Sequence, residues 1–151
     1  MKTIKISTYP LKLKSFDNQK KVYDVIRKKY VAFTPEEFVR QNIIIYLIEE
    51  KKYSINLISV EHPLKQYGTI KRCDIVIFNK NTKAKMIIEC KAPAVKLTQN
   101  TIDQAANYNI KLKVEYLVIT NGNDTICYKL DFDNNTFEVT EEIPDFNILN
   151  Y

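Results

Sequence analysis

The sequence predicts a single α/β domain with a central mixed β-sheet flanked by helices. Short apolar runs at Ile75-Val76-Ile77-Phe78, Met86-Ile87-Ile88 and Tyr116-Leu117-Val118-Ile119 have the length and content of strands covered on both faces. A helix with a clear start at Thr34-Pro35-Glu36-Glu37 precedes them, and a second helical stretch from Thr98 to about Leu112 separates the last two runs. The order is therefore helix, strand, hairpin, helix, strand. With 151 residues, 45% of them hydrophobic and 27% charged, the chain can bury one ordinary core and is expected to be one domain. That core is placed at about residues 22 to 140, between a basic N-terminal arm and an acidic C-terminal tail.

In chain order, Ile4, Ile6, Leu11 and Leu13 alternate around Tyr9-Pro10 and suggest short edge strands or an ordered arm. From Asp17 to Phe33, Val22, Val25, Ile26 and Tyr30 fit a helical stripe, yet Lys21-Val22-Tyr23 and Tyr30-Val31-Ala32-Phe33 fit short extended pieces equally well. Thr34 suits an N-cap, Pro35 the first helical position and Glu37 the reciprocal partner of a capping box. The helix should run to about Lys51 and bury Phe38, Ile44, Ile45, Leu47 and Ile48. Ile55 to Glu61 alternates as a first core strand, and Leu64 to Lys71 reads as a polar connection. Asn79 to Lys83 is turn chemistry inside a hairpin. Pro93 ends the strand after Lys91. The strand at 115 to 119, reached by a helical crossover, should lie parallel to the one bearing Glu89. Asn121-Gly122-Asn123-Asp124 and Asp133-Asn134-Asn135 then turn into strands at 125 to 130 and 136 to 139.

No apolar run approaches the roughly 18 residues of a membrane span, and the N-terminus lacks a signal-like apolar stretch. Cys73, Cys90 and Cys127 fall inside strands, away from metal-ligand spacings, so reduced buried thiols and a cytoplasmic location are expected. The lone histidine, His62, excludes a histidine-rich zinc site. Net charge is uneven: residues 1 to 30 carry nine Lys/Arg and two acids (+7), residues 31 to 120 thirteen and nine (+4), and residues 121 to 151 one and seven (−6). The basic front suits a phosphate backbone and equally suits a solvated surface.

Three charges stand in the hairpin where buried strands should carry none: Asp74, Glu89 and Lys91. A buried charge is costly unless it is paired or holds a metal. If the strands pair, Asp74 comes close to Glu89 and Lys91. Two carboxylates with a backbone carbonyl can hold Mg²⁺, and a nearby lysine can act on a water or a phosphate. A salt bridge from Lys91 to either acid would account for the same residues.

Asp74 followed 15 residues later by Glu89-Cys90-Lys91 resembles the Asp…Glu-x-Lys motif of the PD-(D/E)XK nuclease superfamily. Gln104 and Tyr108, four apart on the second helix, resemble the extra motif of its RecB-like branch, although amphipathic packing also explains such a pair. Tyr30-Val31, Thr34-Pro35-Glu36-Glu37, Val39-Arg40-Gln41, Lys71-Arg72-Cys73-Asp74, Ile88-Glu89-Cys90-Lys91-Ala92-Pro93, Gln104, Tyr108-Asn109 and Thr120-Asn121-Gly122 together resemble the N-terminal nuclease domain of type I restriction enzyme R subunits, over roughly residues 22 to 130.

The resemblance implies a restriction-endonuclease-like three-layer core and a Mg²⁺-dependent DNA endonuclease, with Mn²⁺ as a substitute ion. Asp74 and Glu89 would hold the metal, with Glu37 assisting unless capping occupies it. Lys91 would act on the attacking water or the phosphate, and Gln104 and Tyr108 would position Lys91 or DNA. Position 73 is Cys where the motif's name has Pro. No P-loop sequence occurs, so ATP-driven translocation is not expected of this chain, and a protein partner could supply motor or specificity functions. The alternative is a non-catalytic module that retains the fold and binds nucleic acid or a partner.

Overall fold

The computed structural model describes residues 2–66 and 68–150, with side chains at all of these except 66 and 107–111. Among the described residues, nine strands form two sheets, accompanied by two long helices. β1 (Leu13–Phe16), β2 (Gln19–Asp24) and β3 (Lys29–Ala32) make a small antiparallel sheet. The main sheet has six strands in the order β4-β5-β6-β7-β8-β9: β4 (Ile58–Gln66), β5 (Thr69–Phe78), β6 (Ala84–Cys90), β7 (Tyr116–Thr120), β8 (Thr125–Asp131) and β9 (Thr136–Val139). Only β6 and β7 pair in parallel, across the crossover helix α2 (Gln99–Leu112). This is the mixed sheet and crossover expected from the sequence.

α1 (Pro35–Glu49) begins where Thr34 Oγ1 accepts a hydrogen bond from Glu37 N at 3.0 Å, and Pro35 fills the first helical position. The capping box is only half formed. Thr34 N donates to Ala32 O, and the Glu37 carboxylate is taken up by other partners. The buried face also differs from expectation: Val39, Ile43, Ile44, Tyr46 and Leu47 are buried, whereas Phe38, Ile45 and Ile48 are half-buried. α1 packs on one face of the sheet with Ile75, Ile77, Met86 and Ile88. α2 contributes Ala105 to the opposite face, with Val76, Ile87, Leu117 and Ile119. Ile143 and Leu149, near the C-terminal end, are fully buried on the α1 face, so the core reaches beyond residue 140.

Two segments resolve differently from their sequence reading. Residues 17 to 33 form strands, because Val22 pairs with Leu13 on one side and Val31 on the other. The first core strand starts three residues late, after a 3₁₀ turn at Ile55–Leu57, and runs on to Gln66. Residues 64–66 and 69–71 are thus hairpin arms, with Gly68 at φ +77. Pro63 is tolerated there because β4 is an edge strand, where a missing N–H can face away from the ladder.

The turn after β7 is pinned on both sides. Thr120 and Thr125 share a hydroxyl hydrogen bond of 2.7 Å, and Asn121 Oδ1 accepts from the N–H groups of Asn123 and Asp124. Gly122 sits at φ +87, and a Cβ there would come within 3.2 Å of Val39 Cγ2 on α1. Gly122→Ala is therefore expected to cost about 1 to 3 kcal/mol of unfolding free energy in denaturant titrations. Gly68→Ala, with open space around it, should cost less. Equal losses would remove Val39 from the explanation. Among the described residues no helix is long and apolar enough to cross a membrane.

Candidate active site

The hairpin brings its two acids together. Ile75 pairs with Ile88, and one step further along the register Asp74 lies opposite Glu89. The backbone ladder ends there because the Asp74 side chain takes over: Cys90 N donates to Asp74 Oδ2 at 2.8 Å. The alternation of β5 also breaks at this point. Cys73 packs in the α2-side cluster and Ile75 in the α1-side cluster, although residues two apart in a regular strand share a face. Opposite Asp74 on β4, Glu61 carries a left-handed φ of +52, an uncommon conformation for a residue with a Cβ. The site thus lies at a local irregularity between central strands, where β6 ends, and not at the lateral edge of the sheet.

Glu89 is buried and its Oε1 has no hydrogen-bond partner. Burial, then the charge of Asp74 and a carboxyl–carboxyl hydrogen bond with it, push the Glu89 pKa up to about 8, while the ammonium of Lys91 pulls it down. Lys91 directly follows β6, and its N–H is held by Thr120 O at 2.8 Å. Asn121 Nδ2 reaches the Val95 carbonyl at 2.8 Å and so ties down the loop after Lys91. Thr120 and Asn121 therefore set the path of the chain on both sides of Lys91.

Around the acids is an arginine network that the sequence reading did not foresee. Arg40 donates from Nε to Glu37 Oε2 at 2.9 Å and from Nη2 to Glu37 Oε1 at 2.7 Å, a two-pronged contact. Its other contacts are Glu61 at 3.3 Å and Asp74 at 3.5 Å. Arg27 pairs with fully buried Asp24 at 2.6 Å and with Glu37 at 2.8 Å, linking the small sheet to α1. Gln41 donates a further bond to Glu37 at 2.9 Å. Burial alone would raise the Glu37 pKa, but the hydrogen bonds of Arg40 and Gln41 and the charges of Arg40 and Arg27 outweigh it and hold the carboxyl below its ordinary value. Arg27, Glu37, Arg40, Glu61 and Asp74 line a cavity of about 320 Å³.

Glu37, Arg40 and Gln41 fall at i, i+3 and i+4, so their meeting was readable from helix geometry. The Asp24-x-x-Arg27 turn carried no such signal, because its partner Glu37 lies on another element. Gln104 is exposed on α2, which packs on β6 and β7. The side chain of Tyr108 lies outside the described residues. His62 accompanies Ser59 and the ring of Phe78, as a packed edge-strand residue. Among the described residues no group of three or more His, Cys, Asp or Glu side chains is gathered as a metal cluster.

The family model for the type I restriction enzyme R protein N terminus (HSDR_N) matches residues 35–144. The chain belongs to that family. The chain is also similar to the fragment structure of a putative HsdR subunit of a type I restriction enzyme from Vibrio vulnificus YJ016, at a TM-score of 0.56 and 16% identity. That likeness covers 76% of this chain and 24% of the other, so the domain spans about a quarter of that protein, and at this identity it speaks for the fold alone. No curated relative matches the chain. The matched residues contain Glu37, Asp74, Glu89, Lys91, Gln104 and Tyr108, whereas Asp24 and Arg27 precede them. Of the two arginines on Glu37, Arg27 is thus supplied by the β2–β3 turn of the small sheet, ahead of the matched residues.

Proposed function

We propose that this chain is a Mg²⁺-dependent DNA endonuclease of the PD-(D/E)XK type, with Mn²⁺ able to replace Mg²⁺. One observation carries the reading: Glu89 buries an unpartnered carboxylate oxygen directly beside the carboxylate of Asp74. A buried acceptor with no donor is costly, and the Asp74 carboxylate beside it completes a pair of hard oxygen ligands of the kind that suits a divalent cation. Asp74 and Glu89 are assigned to hold it. When bound, the ion supplies positive charge against that developing on a scissile phosphate.

The chain's own groups would do the rest. Asp74, fixed by Cys90 N and flanked by Arg40, keeps its carboxylate oriented before any ligand arrives. Lys91 would direct its ammonium at the attacking water or at a phosphate oxygen. Gln104 and Tyr108 are assigned to positioning Lys91 or the DNA. Glu37 is assigned to aligning Arg40 and Arg27, since its oxygens already receive four hydrogen bonds. A protein partner supplying motor or specificity belongs to the same reading.

A second reading has its own support. Arg40 and Arg27 engage the carboxylates nearest Asp74, which suits a binding module that has traded its metal for fixed cations. Lys91→Ala separates the two. Under the endonuclease reading, cleavage in Mg²⁺ falls on the order of 10²-fold or more, while DNA affinity measured in Ca²⁺ stays within about twofold. Wild type and Lys91→Ala with the same background cleavage and the same affinity would establish the binding module instead.

A further inference from the structure

The small sheet lies before the residues that carry the family match, and its outer face has a composition unlike the rest of the surface. In the register of β1, β2 and β3, Lys14 faces Lys21, Phe16 faces Gln19, Lys21 faces Ala32, and Tyr23 faces Tyr30. Strand alternation puts Lys14, Phe16, Lys21, Tyr23 and Tyr30 on one side. Val22 and Asp24 lie on the other, where both are fully buried. Asp24 is the only acid in the three strands, so the outer face has none.

The three rings form a continuous row, with Phe16 to Tyr30 at 5.6 Å and Tyr30 to Tyr23 at 5.3 Å between centroids, both edge-on. Lysine ammonium groups hover over them: Lys12 over Tyr23 at 5.0 Å, Lys14 over Phe16 at 5.3 Å and Tyr30 at 5.7 Å, and Lys21 over Phe16 at 5.5 Å. Lys12 is tied to the sheet because its carbonyl accepts from Tyr23 N at 2.9 Å. Phe16 remains 39% exposed, so its ring is accessible from solvent. The platform is also anchored to the candidate active site, because the β2–β3 turn carries Arg27 to Glu37.

We propose that this face binds single-stranded DNA. Its bases would stack on Phe16, Tyr30 and Tyr23, and its phosphates would be met by Lys12, Lys14 and Lys21. Aromatic rings interleaved with lysines, without acids, are what a sequence-tolerant strand binder needs: rings accept any base, and ammonium groups track the backbone. Neighbouring strands are about 4.8 Å apart, so three of them offer room for two or three stacked bases. Duplex DNA offers no base faces to the rings. Cation–ring contacts in the free protein hold the lysines close by, and each can swing to a phosphate while its ring takes a base. The inference rests on the endonuclease reading for its choice of DNA, and it adds that the strand is presented from the β1–β3 side.

The test is fluorescence-anisotropy binding of the full chain, in EDTA, to labelled oligo(dT), to the same length of oligo(rU), and to a blunt duplex. Phe16→Leu with Tyr30→Leu should weaken oligo(dT) binding about tenfold or more while duplex binding changes less than about twofold. Lys12→Gln, Lys14→Gln and Lys21→Gln together should lower the salt slope for oligo(dT) by about 2, three contacts at about 0.7 each. The lysine variant keeps the test open if the ring variant does not fold, which its melting temperature reports. Equal losses on oligo(dT) and duplex, no loss in either variant, preference for oligo(rU), or no binding to oligo(dT) would overturn the inference. Mg²⁺-dependent cleavage by the wild type, assayed in parallel, reports separately on the endonuclease reading. Cleavage that survives without the platform effect sinks only the platform.

Discussion

Replacing Glu89 by glutamine is expected to abolish Mg²⁺-dependent cleavage and, at the same time, to raise the melting temperature of the metal-free protein at pH 8. The two effects have one cause. In the fold Glu89 titrates near 8, against about 4.5 for an ordinary glutamate, mainly because it is buried and beside Asp74. The fold therefore favours the protonated carboxyl. Its contribution is fully present below about pH 4.5, declines as pH rises from there to about 8, and is lost above 8. Glutamine mimics the protonated form at every pH. Wild type in EDTA should thus lose stability between pH 5 and pH 8 relative to Glu89→Gln, by on the order of a few kcal/mol. Mg²⁺ should restore the wild type and leave the variant unmoved, since binding to the folded state alone stabilises it. Parallel melting curves for both proteins across that pH range would contradict the burial argument.

The second large effect concerns Arg40. Its guanidinium is buried and shared among Glu37, Glu61 and Asp74. Arg40→Ala would leave Glu37 charged in a site it shares with Glu61 and Asp74, with Arg27 and Gln41 as its remaining side-chain partners. Breaking a buried pair from one side costs about 3 to 5 kcal/mol, and the lower end is expected because Arg27 still reaches Glu37. Glu37→Gln with Arg40→Met, which removes both charges, should recover much of that loss. A further sign separates this residue from a purely structural one. Without Arg40 beside Asp74 the carboxylates are less compensated, so the stabilisation by Mg²⁺ should grow even as the metal-free protein weakens. A cost below about 1 kcal/mol in urea titrations would show that the network adds little.

What the sequence disclosed follows the range of the interactions involved. The N-cap at Thr34 and the Asn79 turn are set by residues a few positions apart, the β6–α2–β7 crossover by a helical stretch between two apolar runs, and all three stand in the structure as expected. Residues 17 to 33 were undecidable because Val22, Val25, Ile26 and Tyr30 satisfy a helical stripe while Lys21-Val22-Tyr23 alternates. What settles them is cross-strand pairing with Leu13 and Val31, which no local window contains. β4 runs on through Pro63, a residue that argues against a central strand, and its place at the sheet edge admits it.

The candidate site divides in the same way. The facing of Asp74 and Glu89 was foreseeable from one hairpin of fixed register. The Arg27–Glu37–Arg40 network was not, because it joins a turn of the small sheet to a helix and to two strands of the large one. Glu37 shows the cost of local reading: the capping spacing is present and the backbone half of the cap forms, yet the carboxylate is drawn away by stronger charged partners.

The most direct test of the account is a crystal structure of the protein grown with Mn²⁺, with anomalous scattering used to locate the ion. A peak shared by the carboxylates of Asp74 and Glu89 is expected, absent in crystals of Glu89→Gln. No peak at that position at saturating Mn²⁺, or one that persists in Glu89→Gln, would contradict it.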